Sequence, residues 1–417
     1  MLTIYFCFPY RGVGGVSLLF LRLAEYLEQS GLAQCHLVDY VDGFMARHIQ
    51  EPGVRLEVYE DVGSVVPIPS DAIALFQSMT PWSIFPGIQP DPSTRVLFWN
   101  CYPFNLIPLF PGLRRQMQNS ETFGRLILST LLRGYCSKIR RLVDLLLVKQ
   151  SLVFMDGTNL ETTERYLGLT ITDPIYVPIP IIASTDKRLM SIERDYFRHG
   201  LRVVWVGRIV DFKFYTFHRC LIELDRLQPV FGMKIGVTVV GTGEYRQRLS
   251  DESAKLSNLQ FEFIDYVAPQ DLDDFLICNA DLLVAMGTSA LEGARLGIPT
   301  LLLDVAHAPV SADYIFTWLY ERKNFSLGDI VCRRHFSRGN NSLGDRLREI
   351  INRFPDVSSN TRSYVYRQHE LSGIAEKLIT ALNCSRCTYQ DLKDADLLGR
   401  GFIYSLFAKV RKKMVSA

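Results

Sequence analysis

The alternation of short apolar runs with longer amphipathic segments constrains the fold of this chain more than any other feature. Apolar runs such as LTIYFCF, AIALFQS and RVLFWNC recur up to SLVFMDG, and segments with helical spacing separate them. A second series begins at LRVVWVG and continues through KIGVTVVG, LQFEFIDYV and DLLVAM to IPTLLLD. Strands that alternate with helices build parallel sheets covered on both faces. We therefore predict an α/β protein with two doubly wound, Rossmann-like domains.

The stretch PIYVPIPII at residues 174–182 is punctuated by prolines and is predicted to be the linker between the two series. The 417 residues are enough for two domains of ordinary size. We place the first domain at 1–180, the second at 181–383, and a basic amphipathic tail at 384–417. The two domains are expected to face each other across a cleft.

Composition excludes several classes of protein. The 46 Lys and Arg residues nearly balance the 44 Asp and Glu residues, so we expect no nucleic-acid partner. The nine cysteines follow no framework spacing, and the C-x-x-C at Cys384 and Cys387 has no second pair. We therefore expect a reducing compartment and no metal. The first residues are predicted to be a strand and not a signal peptide, and no run reaches the roughly 18 apolar residues of a spanning helix, so a cytoplasmic location is expected.

Two cations follow the strand LRVVWVG, namely Arg208 and Lys213. Open α/β sheets bind ligands at the carboxyl ends of their strands, so two cations there favour an anionic ligand. The alternative is a loop whose charges are simply solvated.

Three glycine-containing loops also follow predicted strands. The loop YRGVGGVS, with Gly14 and Gly15, fits a loop facing a substrate cleft, a tight structural turn or a dinucleotide fingerprint with Asp39. Ser17 occupies the third glycine position of that fingerprint. The loop VVGTGEY contains Gly241 and is either a ligand loop or a structural turn.

The third loop, AMGTSALEG, places Gly287, Thr288 and Ser289 at the start of a helix, where free amides and two hydroxyls suit an anion. Glu292 follows one turn later. An ionised carboxylate offers two acceptor oxygens to the hydroxyls of a ribose. The alternative is that Glu292 pairs with Arg295 at i+3.

Taken together, GRIVDFK at 207–213 and EGARLGIP at 292–299 resemble the motifs of GT-B glycosyltransferases, in particular the large retaining group. GVGGVS resembles the acceptor-side loop of the same family. The resemblance implies that Arg208 and Lys213 hold the diphosphate of a nucleotide-sugar, a UDP- or GDP-sugar, and stabilise the leaving nucleoside diphosphate as catalytic residues. It also implies that Glu292 binds the ribose, that Gly287 and Thr288 donate to a phosphate, and that no cofactor or metal is needed. The donor-binding residues are then Gly14, Gly15, Arg208, Lys213, Gly241, Gly287, Thr288, Ser289 and Glu292.

The chain departs from the family pattern at two places. The family carries two glutamates as E-x7-E, but Val284 stands eight positions before Glu292. The acceptor loop that often holds a histidine contains Asn100 instead. The general base is therefore unassigned, and Asp42, Asp156 and His36 are candidates only because they are polar residues near predicted strand ends. Retention is expected, because a front-face route can use the leaving phosphate as base.

The segment 104–149 is strongly basic. Its apolar residues keep helical spacing, so it is either a core helix with a solvated basic face or a segment that contacts an anionic membrane. The tail repeats the pattern, with Phe402, Ile403, Leu406 and Phe407 near three basic residues at 411–413. We expect peripheral membrane association and a lipid-linked or glycan acceptor in cell-envelope polysaccharide synthesis. The alternatives are a sugar-nucleotide epimerase, a nicotinamide-dependent oxidoreductase and a non-catalytic membrane-associated partner. The basic residues of the segment are Arg114, Arg115, Arg125, Arg133, Lys138, Arg140, Arg141 and Lys149.

Overall fold

The chain forms two compact units in the computed structural model. The structure describes residues 1–12, 14–61, 63, 65–110, 112–184, 197, 200–331, 336 and 341–399. The first unit comprises Met1–Pro180 and the chain from Leu371 onward, and the second unit is Ile181–Glu370. The sequence places 371–383 in the second domain, whereas in the structure this stretch packs with the first unit.

The first unit is built on a six-stranded parallel sheet of order β3-β2-β1-β5-β7-β8. A two-stranded parallel sheet pairs β4 with β6. The strands are β1 (Leu2–Cys7), β2 (Ala33–Asp39), β3 (Arg55–Val58), β4 (Val66–Ile68), β5 (Ile73–Gln77), β6 (Ile88–Pro90), β7 (Arg95–Asn100) and β8 (Leu152–Phe154). The helices are α1 (Gly15–Gln29), α2 (Phe44–His48), α3 (Arg114–Asn119), α4 (Glu121–Ser129), α5 (Arg133–Val148) and α6 (Gly157–Leu167).

The second unit is built on a six-stranded sheet of order β11-β10-β9-β12-β13-β14, in which only β14 is antiparallel to its neighbour. The strands are β9 (Leu201–Val206), β10 (Ile235–Val240), β11 (Leu259–Ile264), β12 (Leu282–Ala285), β13 (Thr300–Leu302) and β14 (Thr317–Trp318). The helices are α7 (Asp211–Phe231), α8 (Arg246–Ser253), α9 (Leu272–Asn279), α10 (Thr288–Ala294) and α11 (Leu343–His369). The predicted doubly wound α/β class is confirmed in both units.

The chain then returns to the first unit through α12 (Leu371–Cys384) and α13 (Tyr389–Asp394). The apolar face of α12 joins the core that surrounds β1 and α1, where Ile374, Leu378 and Leu382 are almost fully buried. Cys387 continues this attachment, because its carbonyl accepts a hydrogen bond from the Val96 amide at 2.8 Å. Burial of these apolar side chains explains why 371–384 belongs to the first unit.

The strands with long apolar runs are found where the sequence predicts them, whereas β3, β4, β6 and β14 were not predicted. These four strands have two to four residues, and β3, at the sheet edge, is only half-buried, so they leave little hydrophobic pattern. The helix α7 continues through Pro229 and is capped by Gly232 in the left-handed conformation. A proline in the last turn removes little from a helix that is already ending.

Both sheets have a topological switch point. In the second unit the chain winds outward from β9 to β11 and then restarts at β12 on the other side of β9. Ligands of open α/β sheets bind at the carboxyl ends of the two strands that flank such a point. In this unit those strands are β9 and β12, which lead directly into Gly207–Arg208 and Gly287–Ser289.

The basic segment 104–149 contributes its apolar residues to the fold of the first unit. Leu128, Leu132, Ile139, Leu142 and Leu146 are at most 2% exposed. The apolar spacing is thus explained by core packing, which leaves mainly the basic face at the surface. Of the predicted tail at 384–417, residues 400–417 lie outside the described residues. Within the described part of the chain, no helix is both long and apolar enough to cross a membrane.

Candidate active site

The centre of the candidate site is the turn that follows β9. Gly207 adopts φ 146°, which side-chain-bearing residues rarely do, and it ends the strand. Lys213 lies in the first turn of α7. Its Nζ and the Oγ of Ser289 would both lie 3.5 Å from a Cβ placed on Gly207. Lys213 and Ser289, 76 positions apart in sequence, therefore converge beside Gly207.

The two cations at this turn have no counterion within the described chain. The side chains of Arg208 and Lys213 form no ion pair or hydrogen bond with any residue that the structure describes. Lys213 is half-buried, with its Nζ 6.0 Å from the centre of the Trp205 ring. Burial, and secondarily the charge of Arg208, lowers the pKa of Lys213 to about 8. A shielded cation without a counterion is the electrostatic arrangement that an anionic ligand completes.

The loop after β10 packs against the turn that follows β9. Gly241 and Gly243 have φ 137° and 147°, and a Cβ on them would collide with the carbonyls of Gly207 and Ile209. The Ile209 amide donates to Thr242 O at 2.9 Å, and the Tyr245 amide donates to Ile209 O at 3.0 Å. The backbone packing explains why position 241 is a glycine and shows that this loop holds the Arg208 loop. A role of Gly241 in binding the donor stays a prediction.

The turn after β12 brings Ser289 to the site, but it does not offer every hydrogen-bond donor to a phosphate that the resemblance implies. Gly287 caps α10 with φ 70°, and its amide donates to Leu327 O at 2.8 Å. That amide is therefore already used and does not point to a phosphate. The Thr288 and Ser289 hydroxyls have no hydrogen-bond partner within the described residues.

Glu292 is engaged in an ion pair. Arg295 Nε lies 3.0 Å from Glu292 Oε2, and its Nη2 lies 2.5 Å from Asp273 Oδ1. This is the pairing that the sequence offered as the alternative to ribose binding. Because Arg295 also contacts Asp273, it keeps a carboxylate partner if Glu292 turns toward a ligand.

The glycine loop of the first unit is organised by Asp39. This fully buried carboxylate accepts hydrogen bonds from the amides of Tyr10, Tyr40, Met45 and Ala46 at 2.8–3.3 Å. Both of its oxygens are thereby used, so the dinucleotide interpretation loses the carboxylate it needs for a ribose. Gly14 caps α1 without a side-chain hydrogen bond, and Gly15 begins the helix, where a Cβ would meet open space.

The three candidates for a general base all have structural contacts. His36 lies within β2, stacks on Tyr5 and places Nδ1 2.8 Å from Glu57. Asp156 caps α6 by accepting from the Asn159 amide at 2.8 Å. Asp42 pairs with Arg11 at 3.1 Å on the surface.

Sequence reasoning missed one pair near the candidate site. His307 Nδ1 lies 3.9 Å from Asp211 Oδ2, and the neighbouring Ala306 amide donates to Phe212 O at 3.0 Å. The loop after β13 therefore packs on the turn of α7 that carries Lys213. The sequence did offer a signal for this pair. His307 comes five residues after the end of β13, and β13 lies beside β12. The described residues contain no cluster of three or more His, Cys, Asp or Glu side chains arranged for a metal.

Comparison with known proteins gives structural similarity only. No protein-family model and no curated relative matches the chain. The chain is similar to the crystal structure of WaaG, a glycosyltransferase involved in lipopolysaccharide biosynthesis, at 15% identity and a TM-score of 0.49, over 91% of this chain and 99% of that one. It is also similar to the lipopolysaccharide outer core galactosyltransferase WaaB, at 13% identity and a TM-score of 0.45, over 92% of this chain and 99% of that one. The similarity to MurG of Acinetobacter baumannii has 11% identity and a TM-score of 0.40, over 91% of this chain and 99% of that one.

Proposed function

We propose that this chain is a retaining glycosyltransferase that moves a sugar from a nucleotide-sugar, a UDP- or GDP-sugar, to a lipid-linked or glycan acceptor in cell-envelope polysaccharide synthesis. The observation that carries the proposal is Lys213, a half-buried cation without a counterion, beside Arg208 and Ser289 at the switch point of the second sheet. A diphosphate supplies the missing negative charge. The motifs around 207–213 and 292–299 support the same class of donor.

In this proposal the cations act on the leaving group. As the bond between the sugar C1 and the diphosphate oxygen breaks, negative charge grows on the nucleoside diphosphate, and Arg208 and Lys213 stabilise it more in the transition state than in the ground state. The Ser289 hydroxyl donates to a phosphate oxygen. The acceptor hydroxyl attacks C1 from the same face and passes its proton to the departing phosphate oxygen. This route keeps the anomeric configuration and requires no base from the protein.

The acceptor side of the proposal rests on charge. Six of the eight basic residues of 104–149 are exposed, and Lys138 and Lys149 are partly buried. Each cation near an anionic bilayer contributes about 1 kcal/mol. We propose that this face holds the protein peripherally on the cytoplasmic side of a membrane, where a lipid-linked acceptor is found.

The decisive experiment combines thermal shift with a transfer assay. UDP and GDP are expected to raise the Tm, and the matching nucleotide-sugar is expected to label a membrane extract with sugar. Stabilisation by NAD alone would indicate the oxidoreductase. Interconversion of the free nucleotide-sugar without an acceptor would indicate the epimerase. Absence of any nucleotide effect would indicate the non-catalytic partner.

Binding of UDP is expected to depend on pH through Lys213. The ammonium form binds the diphosphate, and the free protein loses that form as pH rises through about 8. The affinity should be level below pH 7 and should fall up to about tenfold per pH unit above pH 8. Calorimetric titration between pH 6.5 and 9.5 measures this. The Lys213→Met variant is the control, and its UDP affinity should not change with pH over this range. A wild-type affinity that is equally independent of pH would contradict the role of Lys213.

If Glu292 binds the ribose, Glu292→Gln should weaken UDP about tenfold, because about 1.5 kcal/mol of charged hydrogen bonding is lost. The same variant should leave the affinity for inorganic pyrophosphate unchanged, because that ligand has no ribose. Arg295→Gln is the matched control, since it removes the other side of the 3.0 Å pair. Equal losses of UDP affinity in both variants would assign Glu292 a structural role.

A further inference from the structure

A second cationic site lies in the first unit, in a cavity of about 470 Å³ between α4, α5 and the end of α6. Thr122, Arg125 and Ser129 line it from α4, at the i, i+3 and i+7 positions that share one helix face. Arg133 and Arg140 line it from α5, also seven positions apart. The cavity thus receives three guanidinium groups from two helix faces.

The arginines in this cavity are weakly neutralised. The side chain of Arg133 has no ion-pair or hydrogen-bond partner within the described residues. Arg125 is 3.7 Å from Glu121, which also lies 3.6 Å from Arg165, so one carboxylate is shared between two cations. No acidic side chain lines the cavity itself. The field inside it is therefore positive.

Two contacts fix the position of the Arg140 guanidinium at the cavity. Its Nε donates to Leu167 O at 2.6 Å, and one Nη lies 3.4 Å from a Cβ placed on Gly168. Gly168 has φ 62° and ends α6, so a residue with a side chain there would be strained. The remaining N–H groups of Arg140 stay available to a ligand.

The cavity also has an apolar edge. Leu126 lines it and is 56% exposed, and Leu128 lines it as a buried residue. Guanidinium groups bind phosphate through paired N–H donors, and an apolar edge suits a hydrocarbon or glycerol next to the phosphate. We propose that this cavity binds the phosphate group of an ester, whether a phospholipid headgroup or a free phosphate ester.

Binding by this cavity is separate from binding of the nucleotide-sugar in the second unit. A cavity variant is therefore expected to keep its full affinity for UDP. This separation makes the failure of one proposal distinguishable from the failure of the other.

The test compares two double variants of equal charge. Arg133→Gln with Arg140→Gln removes two cations of the cavity, whereas Arg114→Gln with Arg141→Gln removes two exposed cations that do not line it. The probes are glycerol 1-phosphate and vesicles of phosphatidylglycerol in phosphatidylcholine. We expect the cavity variant to bind one or both probes at least tenfold more weakly than the control variant does. With glycerol 1-phosphate the control variant should change less than threefold, whereas with vesicles it loses the about 1 kcal/mol that each surface cation contributes.

The pattern across probes identifies the source of the phosphate. A cavity-dependent loss with vesicles alone indicates a lipid headgroup, and one with glycerol 1-phosphate alone indicates a free ester. Equal losses in the two variants would show attraction to general surface charge and would overturn the proposal. Failure of the wild type to bind either probe at low salt would also overturn it. Circular dichroism checks that both variants fold.

Discussion

Lys213→Met is expected to weaken UDP binding by roughly 10- to 150-fold, the equivalent of about 1.5–3 kcal/mol for a hydrogen bond to a charged group. Methionine keeps the length and apolar packing of the lysine stem but removes the charge. Sugar transfer should fall at least as far as UDP affinity, because the lost cation acts most strongly on the charge that develops on the leaving group.

The same variant is expected to be more stable than the wild type when no ligand is bound. Burial and Arg208 lower the pKa of Lys213 from 10.5 to about 8 in the folded protein. Between these values the unfolded chain binds more protons than the folded one, so wild-type stability rises with pH across that window. Below pH 8 the folded wild type carries the full cost of the charge, which is on the order of 3 kcal/mol. Lys213→Met removes this cost and should raise the Tm at pH 7.

Lys234→Met is the matched control. Lys234 is exposed and directly precedes β10, at the amino end of the same sheet. Both its UDP affinity and its Tm should stay near wild type. A Lys213→Met protein that is destabilised, or that binds UDP like the wild type, would show that Lys213 supports the fold and not an anion site.

The placement of Lys213 shows which features of the site were predictable from sequence. A parallel strand can be identified from its own apolar residues, and the residues after it must lie at the carboxyl edge of the sheet. That local rule locates Arg208, Lys213 and Ser289 together without knowledge of any contact. The same rule identifies both sheets, whose central strands are almost entirely buried.

The features that sequence reasoning did not predict depend on residues distant in the chain. Arg295 contacts Asp273, 22 positions earlier, and Gly241 packs on the carbonyl of Gly207. Neither contact follows from spacing or propensity. The return of α12 to the first unit is of the same kind, because an amphipathic helix can cover either of two sheets. Only the packed structure decides between such partners.

Arg322→Leu is expected to destabilise the second unit by about 3–5 kcal/mol, the usual cost of leaving buried charges without their partner. The Arg322 side chain is 8% exposed and lies 2.9 Å from Asp304, which is fully buried, and 3.3 Å from Asp329. Leucine would leave two carboxylates near one another in the interior. Urea denaturation measures the effect as a lower midpoint.

Arg322→Leu should also affect the candidate active site, because backbone hydrogen bonds connect the loop around Asp329 to the turn after β12. Asp329 O accepts from the Val305 amide at 2.7 Å, and Leu327 O in the same loop holds the Gly287 amide at 2.8 Å. Arg322 thus holds the loop that orients the turn carrying Ser289, and the variant should bind UDP more weakly even where it is still folded. Adding Asp304→Asn to Arg322→Leu removes one of the two carboxylate charges that lost the guanidinium and should recover part of the lost stability. An Arg322→Leu protein within 1 kcal/mol of the wild type would mean that water or rearrangement compensates the carboxylates, and the loop would then owe its position to its backbone hydrogen bonds alone.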